Sequence, residues 1–149
     1  MSLSASAAVL SEISGNLEIK TVSIDDPRAD EVLVKIAACG ICHTDLVIQH
    51  GALPIPLPIV LGHEGAGHIV SVGSNVSNLS PGDPVVLSYS SCGNCSTCQS
   101  NQSAYCQDFV SRNFGAQRDD GTTALAVEEQ KLHSHFFGQS AFALSLIHI

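Results

Sequence analysis

A mainly β domain, built as a small barrel or distorted sandwich, is what this sequence predicts. Three observations carry the expectation. Apolar and polar side chains alternate with a two-residue period in several short runs; Gly, Asn, Asp or Pro stands at the ends of those runs; and there is little sign of helix. At 149 residues the chain suits one compact domain that buries roughly two thirds of its unfolded surface.

The first strand is expected at Gly15–Ile24 and the next at Glu31–Gly40, where Val32, Val34 and Ile36 share one face while Leu33 and Lys35 point the other way. His43–Gly51 reads as a short helix closing at Gly51. Ala52–Gly62 contains Pro54, Pro56 and Pro58 and must be extended loop or sheet edge, because proline cannot donate to a ladder. Strands follow at Gly65–Val76 and Asp83–Ser90, and His133–Ser134–His135 alternates like a strand. From Gln99 to about Gly121 the text is polar and irregular.

Composition excludes several classes of function. The formal charge is -8 with only six Lys and Arg, which disfavours nucleic acid and anionic membrane surfaces alike. No apolar run approaches the length needed to span a bilayer. The N-terminal ten residues lack the basic start of a secretory signal, so a soluble, cytoplasmic protein with reduced thiols is the expectation. Six cysteines in that setting point to metal before disulfides.

Four of them, Cys92, Cys95, Cys98 and Cys106, follow a Cys-x2-Cys-x2-Cys-x7-Cys spacing. Two-residue gaps let thiolates converge on one ion, and the longer gap lets the fourth close a tetrahedron. Apart from Ala104 and Tyr105, the residues between are Gly, Asn, Ser, Thr and Gln, which cannot build a core of their own. The reading is a structural zinc site holding a lobe at about 88–112. An iron–sulfur cluster uses a related run, but with a shorter last gap and a following proline.

A second set of donors lies upstream. Cys39 and Cys42 form a CxxC that could serve thiol–disulfide exchange. Cys39 ends a strand near the core and reads as a buried structural thiol, whereas Cys42 sits at a strand-to-helix turn and is the better ligand candidate. His63 and Glu64 follow Gly62 after the proline-rich stretch.

Gly62, His63, Glu64, Gly67, Gly73 and Val76 together match the signature of the zinc-containing, medium-chain alcohol dehydrogenases. "SPGDPVV", Ser80–Val86, resembles that family's next landmark, the four-cysteine lobe follows in order, and "FFGQSAFA", Phe136–Ala143, resembles a late one. The chain therefore resembles the family's N-terminal catalytic domain, a GroES-like, partly open β-barrel, over residues 1–143.

That resemblance implies zinc at two sites and NAD or NADP as cofactor. Cys42 and His63 would be two of three protein ligands of a catalytic zinc, the two-cysteine, one-histidine arrangement for which alcohol dehydrogenases are the standard example. Such a site polarises an alcohol for hydride transfer to nicotinamide. Thr44 matches the hydroxyl that passes the substrate proton outward, or equally an N-cap. Asp45 and Glu64 match carboxylates that orient the site, and His43 the position facing the cofactor phosphates. The implied substrate is a small alcohol or aldehyde, with an aryl or allylic alcohol favoured by "SYSSCGNC" and "FFGQSAFA"; full-length members are usually homo-oligomeric.

The chain departs from the family in two places. Neither the third zinc-ligating cysteine nor a strand–GxGxxG–helix nucleotide unit occurs in these residues. "LSLIHI", residues 144–149, does not continue the "FFGQSAFA" pattern and reads as an unrelated tail on a truncated chain. The isolated chain is then expected not to turn over. The competing expectation is a non-catalytic, zinc-stabilised GroES-like module for binding or subunit interaction.

Overall fold

The computed structural model describes residues 3–148. Strands β1 (Leu3–Leu10) and β2 (Leu17–Ile24) form an antiparallel hairpin paired without a break from Leu3–Ile24 to Leu10–Leu17. Two further strands, β3 (Val32–Cys39) and β5 (Gly65–Val72), pair antiparallel, separated in sequence by helix α1 (His43–Gln49) and the two-residue strand β4 (Ile59–Val60). Then come β6 (Pro84–Val86), the short helices α2 (Ser96–Gln99) and α3 (Phe109–Phe114), β7 (Leu125–Val127), β8 (Gln130–Leu132) and β9 (Ser145–His148). Two sheets result, ordered β4-β1-β2-β7-β8 and β6-β5-β3-β9, and they curl into the partly open barrel expected of a mainly β, GroES-like chain.

The alternation in β3 works as anticipated and explains where the core sits. Val32 and Val34, with Ile36 beside them, pack with Ile69, Leu87 and Leu146. Leu33, on the opposite face, packs with Val9, Val22, Ile24 and Ile147. Both faces of β3 are thus buried at its start, and the strand serves as the wall between two apolar clusters.

The crossover at 141–144 stitches the sheets together. Phe142 accepts a hydrogen bond from Ala8 N–H and donates to Leu61, Ala141 donates to Gly62, and Leu144 bonds Ser6 and Ile36. Of the segment set apart at 144–149, residues 144–148 are part of this architecture, Ile149 lying outside the described residues: β9 pairs with β3 from Lys35–Ser145 to Val32–His148, and Leu146 and Ile147 are buried on opposite faces. A Leu-Ser-Leu-Ile-His run suits a strand buried on both sides, whatever precedes it in the sequence pattern.

Helix α1 ends at Gly51 as expected, with φ +77, and the three prolines lie outside the ladders, leaving β4 as a short edge. Four details differ from the sequence reading. Strand β1 was not anticipated, because its alternating Ser and Ala give almost no hydrophobic contrast. Strand β6 is shorter than Asp83–Ser90. Helices α2 and α3 lie within or beside the stretch read as irregular; α3 is held by Asn113, whose side chain bonds both Ser90 N–H and Ser90 C=O, a contact no local pattern encodes. Finally, the His133–His135 alternation ends at once, since His133 makes only an isolated bridge to Ile59 and His135 turns left-handed at φ +69. Among the described residues no helix is long and apolar enough to cross a membrane.

Candidate metal centres

The four lobe cysteines converge. One donor atom from each of Cys92, Cys95, Cys98 and Cys106 lies within 4.8 Å of the others. Cys92 Sγ and Cys98 Sγ are 3.9 Å apart. Four sulfurs placed tetrahedrally about 2.3 Å from a zinc ion stand about 3.8 Å from one another, so the spacing suits zinc and is far too long for a disulfide. Backbone amides point at the sulfurs: Cys92 N–H donates to Cys106 Sγ and Cys95 N–H to Cys92 Sγ, each at 3.3 Å.

Proton affinities within the lobe diverge. The Thr97 hydroxyl, 3.1 Å away, and then the amides of Gln107 and Cys98, pull the Cys95 thiol down to about 5. Burial, and then the neighbouring Cys95 sulfur, push Cys98 up to about 12. Crowded thiolates repel, and a divalent cation is what lets all four be ionised together. The donor set fits zinc.

The second centre is assembled from two distant segments. Cys42 caps the start of α1, and His63 follows the Gly62 turn; with Glu64 they bring one donor atom each to within 4.8 Å of one another. Gly62 makes the turn possible. Its φ is +88, and a Cβ there would sit 2.6 Å from Phe142 N. Asp45, 3% exposed, ties the segments together: Oδ2 accepts Cys42 N–H at 3.1 Å, and Oδ1 accepts Gly62 N–H at 3.0 Å. The same Oδ1 lies 3.3 Å from His63 Nδ1, which leaves Nε2 as the ligating nitrogen.

Asp45 holds the His63 imidazole above its ordinary pKa, outweighing the opposite pull of burial. Thr44, by its backbone N–H and then its hydroxyl 3.6 Å from the sulfur, lowers the Cys42 thiol. Thiolate, imidazole and carboxylate form a donor set that suits zinc with room for a further ligand. Exposed His43 stands at the rim, outside the cluster.

Cys39 does not join. Its sulfur bonds Gly40 C=O at 3.2 Å, and burial pushes its thiol pKa up, which removes the nucleophile a CxxC redox pair requires.

One part of this centre was not read from the sequence. Phe137 stacks on the His63 ring, with centroids 4.6 Å apart and planes at 23°, and Phe136 meets the same ring edge-on at 5.3 Å. Phe109 and Phe114 pack on Phe137 in turn, so four of the chain's five phenylalanines gather here. The available signal was the adjacent Phe-Phe pair in a chain with few aromatics.

Fold and donor sets together define a β domain able to hold two metal ions, one in a closed four-thiolate cage and one in an open mixed site. Residues 28–134 match the alcohol dehydrogenase GroES-like domain. The chain is 50% identical over 141 residues to a geraniol dehydrogenase from Castellaniella defragrans, covering 94% of this chain and 38% of that protein. Among solved structures it superposes with a TM-score of 0.97 and 45% identity on an alcohol dehydrogenase zinc-binding domain protein from Burkholderia ambifaria, over 99% of this chain and 40% of that one. For benzyl alcohol dehydrogenase from Acinetobacter calcoaceticus the values are 0.93 and 43%, over 98% and 39%. The chain belongs to the family of alcohol dehydrogenase GroES-like domains. It spans about two fifths of the length of these relatives.

Proposed function

We propose that this chain carries the catalytic domain of a zinc-dependent, NAD(P)-linked dehydrogenase that interconverts primary alcohols and aldehydes, with β9 included in that domain. The observation that carries this reading is the convergence of Cys42, His63 and Glu64 around the Asp45 carboxylate. Cys42 and His63 hold the catalytic zinc, and Cys92, Cys95, Cys98 and Cys106 hold the structural one within a lobe at about 88–112. Zinc at the open site, when bound, supplies a Lewis acid that makes an alcohol proton easier to lose.

The chain's own residues do the rest. Thr44 takes the substrate proton at its hydroxyl and passes it outward. Asp45, 3.3 Å from Nδ1, sets the tautomer of His63, Glu64 supplies a nearby carboxylate, and His43 faces the cofactor phosphates. The wall of Phe109, Phe114, Phe137 and Tyr89 offers apolar surface for an aromatic ring or an allylic chain. The names of the geraniol and benzyl alcohol relatives support that substrate class. These 149 residues on their own are expected not to turn over, since the reaction also calls for a third zinc ligand and a nucleotide-binding unit.

Zinc stoichiometry tests the reading. Elemental analysis should return two ions per chain, one of them lost in Cys42→Ser or His63→Ala. A single ion, lost only with the lobe cysteines, identifies a non-catalytic zinc-stabilised module instead. A finer test targets Asp45. Asp45→Asn replaces one accepting oxygen with a donor facing a backbone N–H, and affinity at the open site should fall by roughly 10–100-fold. Competition with a chromophoric chelator reads this directly, and unchanged affinity removes Asp45 from its orienting role.

A further inference from the structure

The turn that carries Phe137 is strained and tightly fastened. His135, Phe137, Gly138 and Ser140 all have positive φ, between +51 and +70, and three of the four carry side chains that disfavour it. Such backbone persists only where its surroundings over-determine it. Here Ser140 Oγ accepts Phe136 N–H at 3.0 Å, Gly138 N–H donates to His135 C=O at 2.7 Å, and Gly138 C=O lies 2.9 Å from His148 Nδ1.

The same turn grips His63 twice. Gln139, buried, donates from Nε2 to His63 C=O at 3.0 Å and accepts Gly65 N–H on Oε1 at 3.1 Å, which brackets the peptide units around the histidine. Phe137 covers the imidazole face, as described. Asp45 constrains the ring only at Nδ1, and the contact leaves rotation about that point open. A stacked aromatic face closes it.

We infer that Phe137 is a positioning residue for His63: its ring fixes the plane of the imidazole and so aims Nε2 at the open metal site. The inference rests on the zinc-ligand reading above and adds to it a residue that touches no metal. It also gives the strain a purpose, since the left-handed backbone at 137 accompanies the ring laid flat on its neighbour.

Cobalt(II) titration of the full 149-residue chain, with its lobe first filled by one equivalent of zinc, tests the assignment. Phe137→Leu keeps apolar bulk but loses the flat face, and should weaken cobalt at the open site by roughly two- to tenfold, the range of a single aromatic contact. Phe137→Tyr keeps the face and should bind like the parent. Lobe affinity should not move in either variant, and the thermal transition should fall only slightly in Phe137→Leu, from lost packing against Phe109, Phe114 and Phe136. In the metal-free chain, the upfield ring-current shift of the His63 ring protons should vanish in Phe137→Leu and persist in Phe137→Tyr.

Parental cobalt affinity in Phe137→Leu overturns the inference, and so does an equal loss at lobe and open site, which signals general misfolding. Should the parent take up no second ion, the zinc-ligand reading fails and the inference falls with it. A parent that binds two ions while Phe137→Leu matches it refutes the positioning role alone.

Discussion

Cys106→Ser is expected to strip one zinc ion from the chain and melt residues 88–112. Of the four lobe sulfurs this one is buried, and it accepts the Cys92 amide as well as closing the tetrahedron. The lobe has almost no core of its own, since Ser, Thr, Gln, Asn and Gly fill most of the gaps between the cysteines and Tyr105 is exposed. A structural zinc site contributes on the order of 10–16 kcal/mol to folding such a segment, comparable with the whole stability of a domain.

The damage should spread. Helix α3 begins inside the lobe and runs past its end, and its Phe109 and Phe114 form the outer layer on Phe137. Limited proteolysis is the measurement: cleavage between Cys92 and Phe109 should become rapid in Cys106→Ser, and equally in the parent after exhaustive chelation. Parent protein that stays resistant without zinc refutes the structural role. Lowering the pH should act in the same direction, because protons compete with the ion for the thiolates.

What could be read from the text, and what could not, divides along a physical line. The cysteine spacing made the lobe legible because short gaps leave few ways to arrange four thiolates. The β3 alternation was legible because a two-residue period puts Val32 and Val34 on one face and Leu33 on the other, and each face meets its own apolar cluster. The strand β1 escaped because Ser and Ala carry little burial energy, so its pairing is decided by β2 and not by its own pattern. The aromatic cover on His63 escaped for another reason. It depends on left-handed backbone at His135 and Phe137, and nothing in those residue types announces it. Residues 145–148 break the family's pattern, yet their own period places Leu146 and Ile147 on opposite buried faces.

Arg118 is one cation in a polar stretch whose partner Glu31 lies 87 residues away, so no local pattern marks it, yet its removal carries the second large expected effect. It is buried with Glu31, which it meets in a bidentate pair at 2.6 and 3.0 Å, and it also reaches Asp25 Oδ2 and Thr123 C=O, each at 3.1 Å. Arg118→Ala leaves the Glu31 carboxylate buried with only the Arg28 N–H to bond it, and about 3–5 kcal/mol of stability should be lost. The double variant Glu31→Gln with Arg118→Met removes both charges, and should recover most of that loss. Denaturant unfolding with excess zinc distinguishes the two; equal losses would mean that packing, not the uncompensated charge, sets the cost.

The acid limb of stability should change as well. Burial pushes Glu31 up, but Arg118 more than offsets it and holds the carboxyl below its ordinary 4.5. That contribution is therefore present above about 4.5 and lost as pH falls through the lower folded value. His135 adds a second loss at higher pH. Burial first, and then the Arg118 charge, depress its imidazole from 6.5 to about 4, so the unfolded chain binds a proton across that window and the folded chain does not. Stability should start to fall just below pH 6.5 and steepen below 4.5. His135→Leu should flatten the first part of that decline and leave the second; a profile unchanged by the substitution would show that His135 takes no part in it.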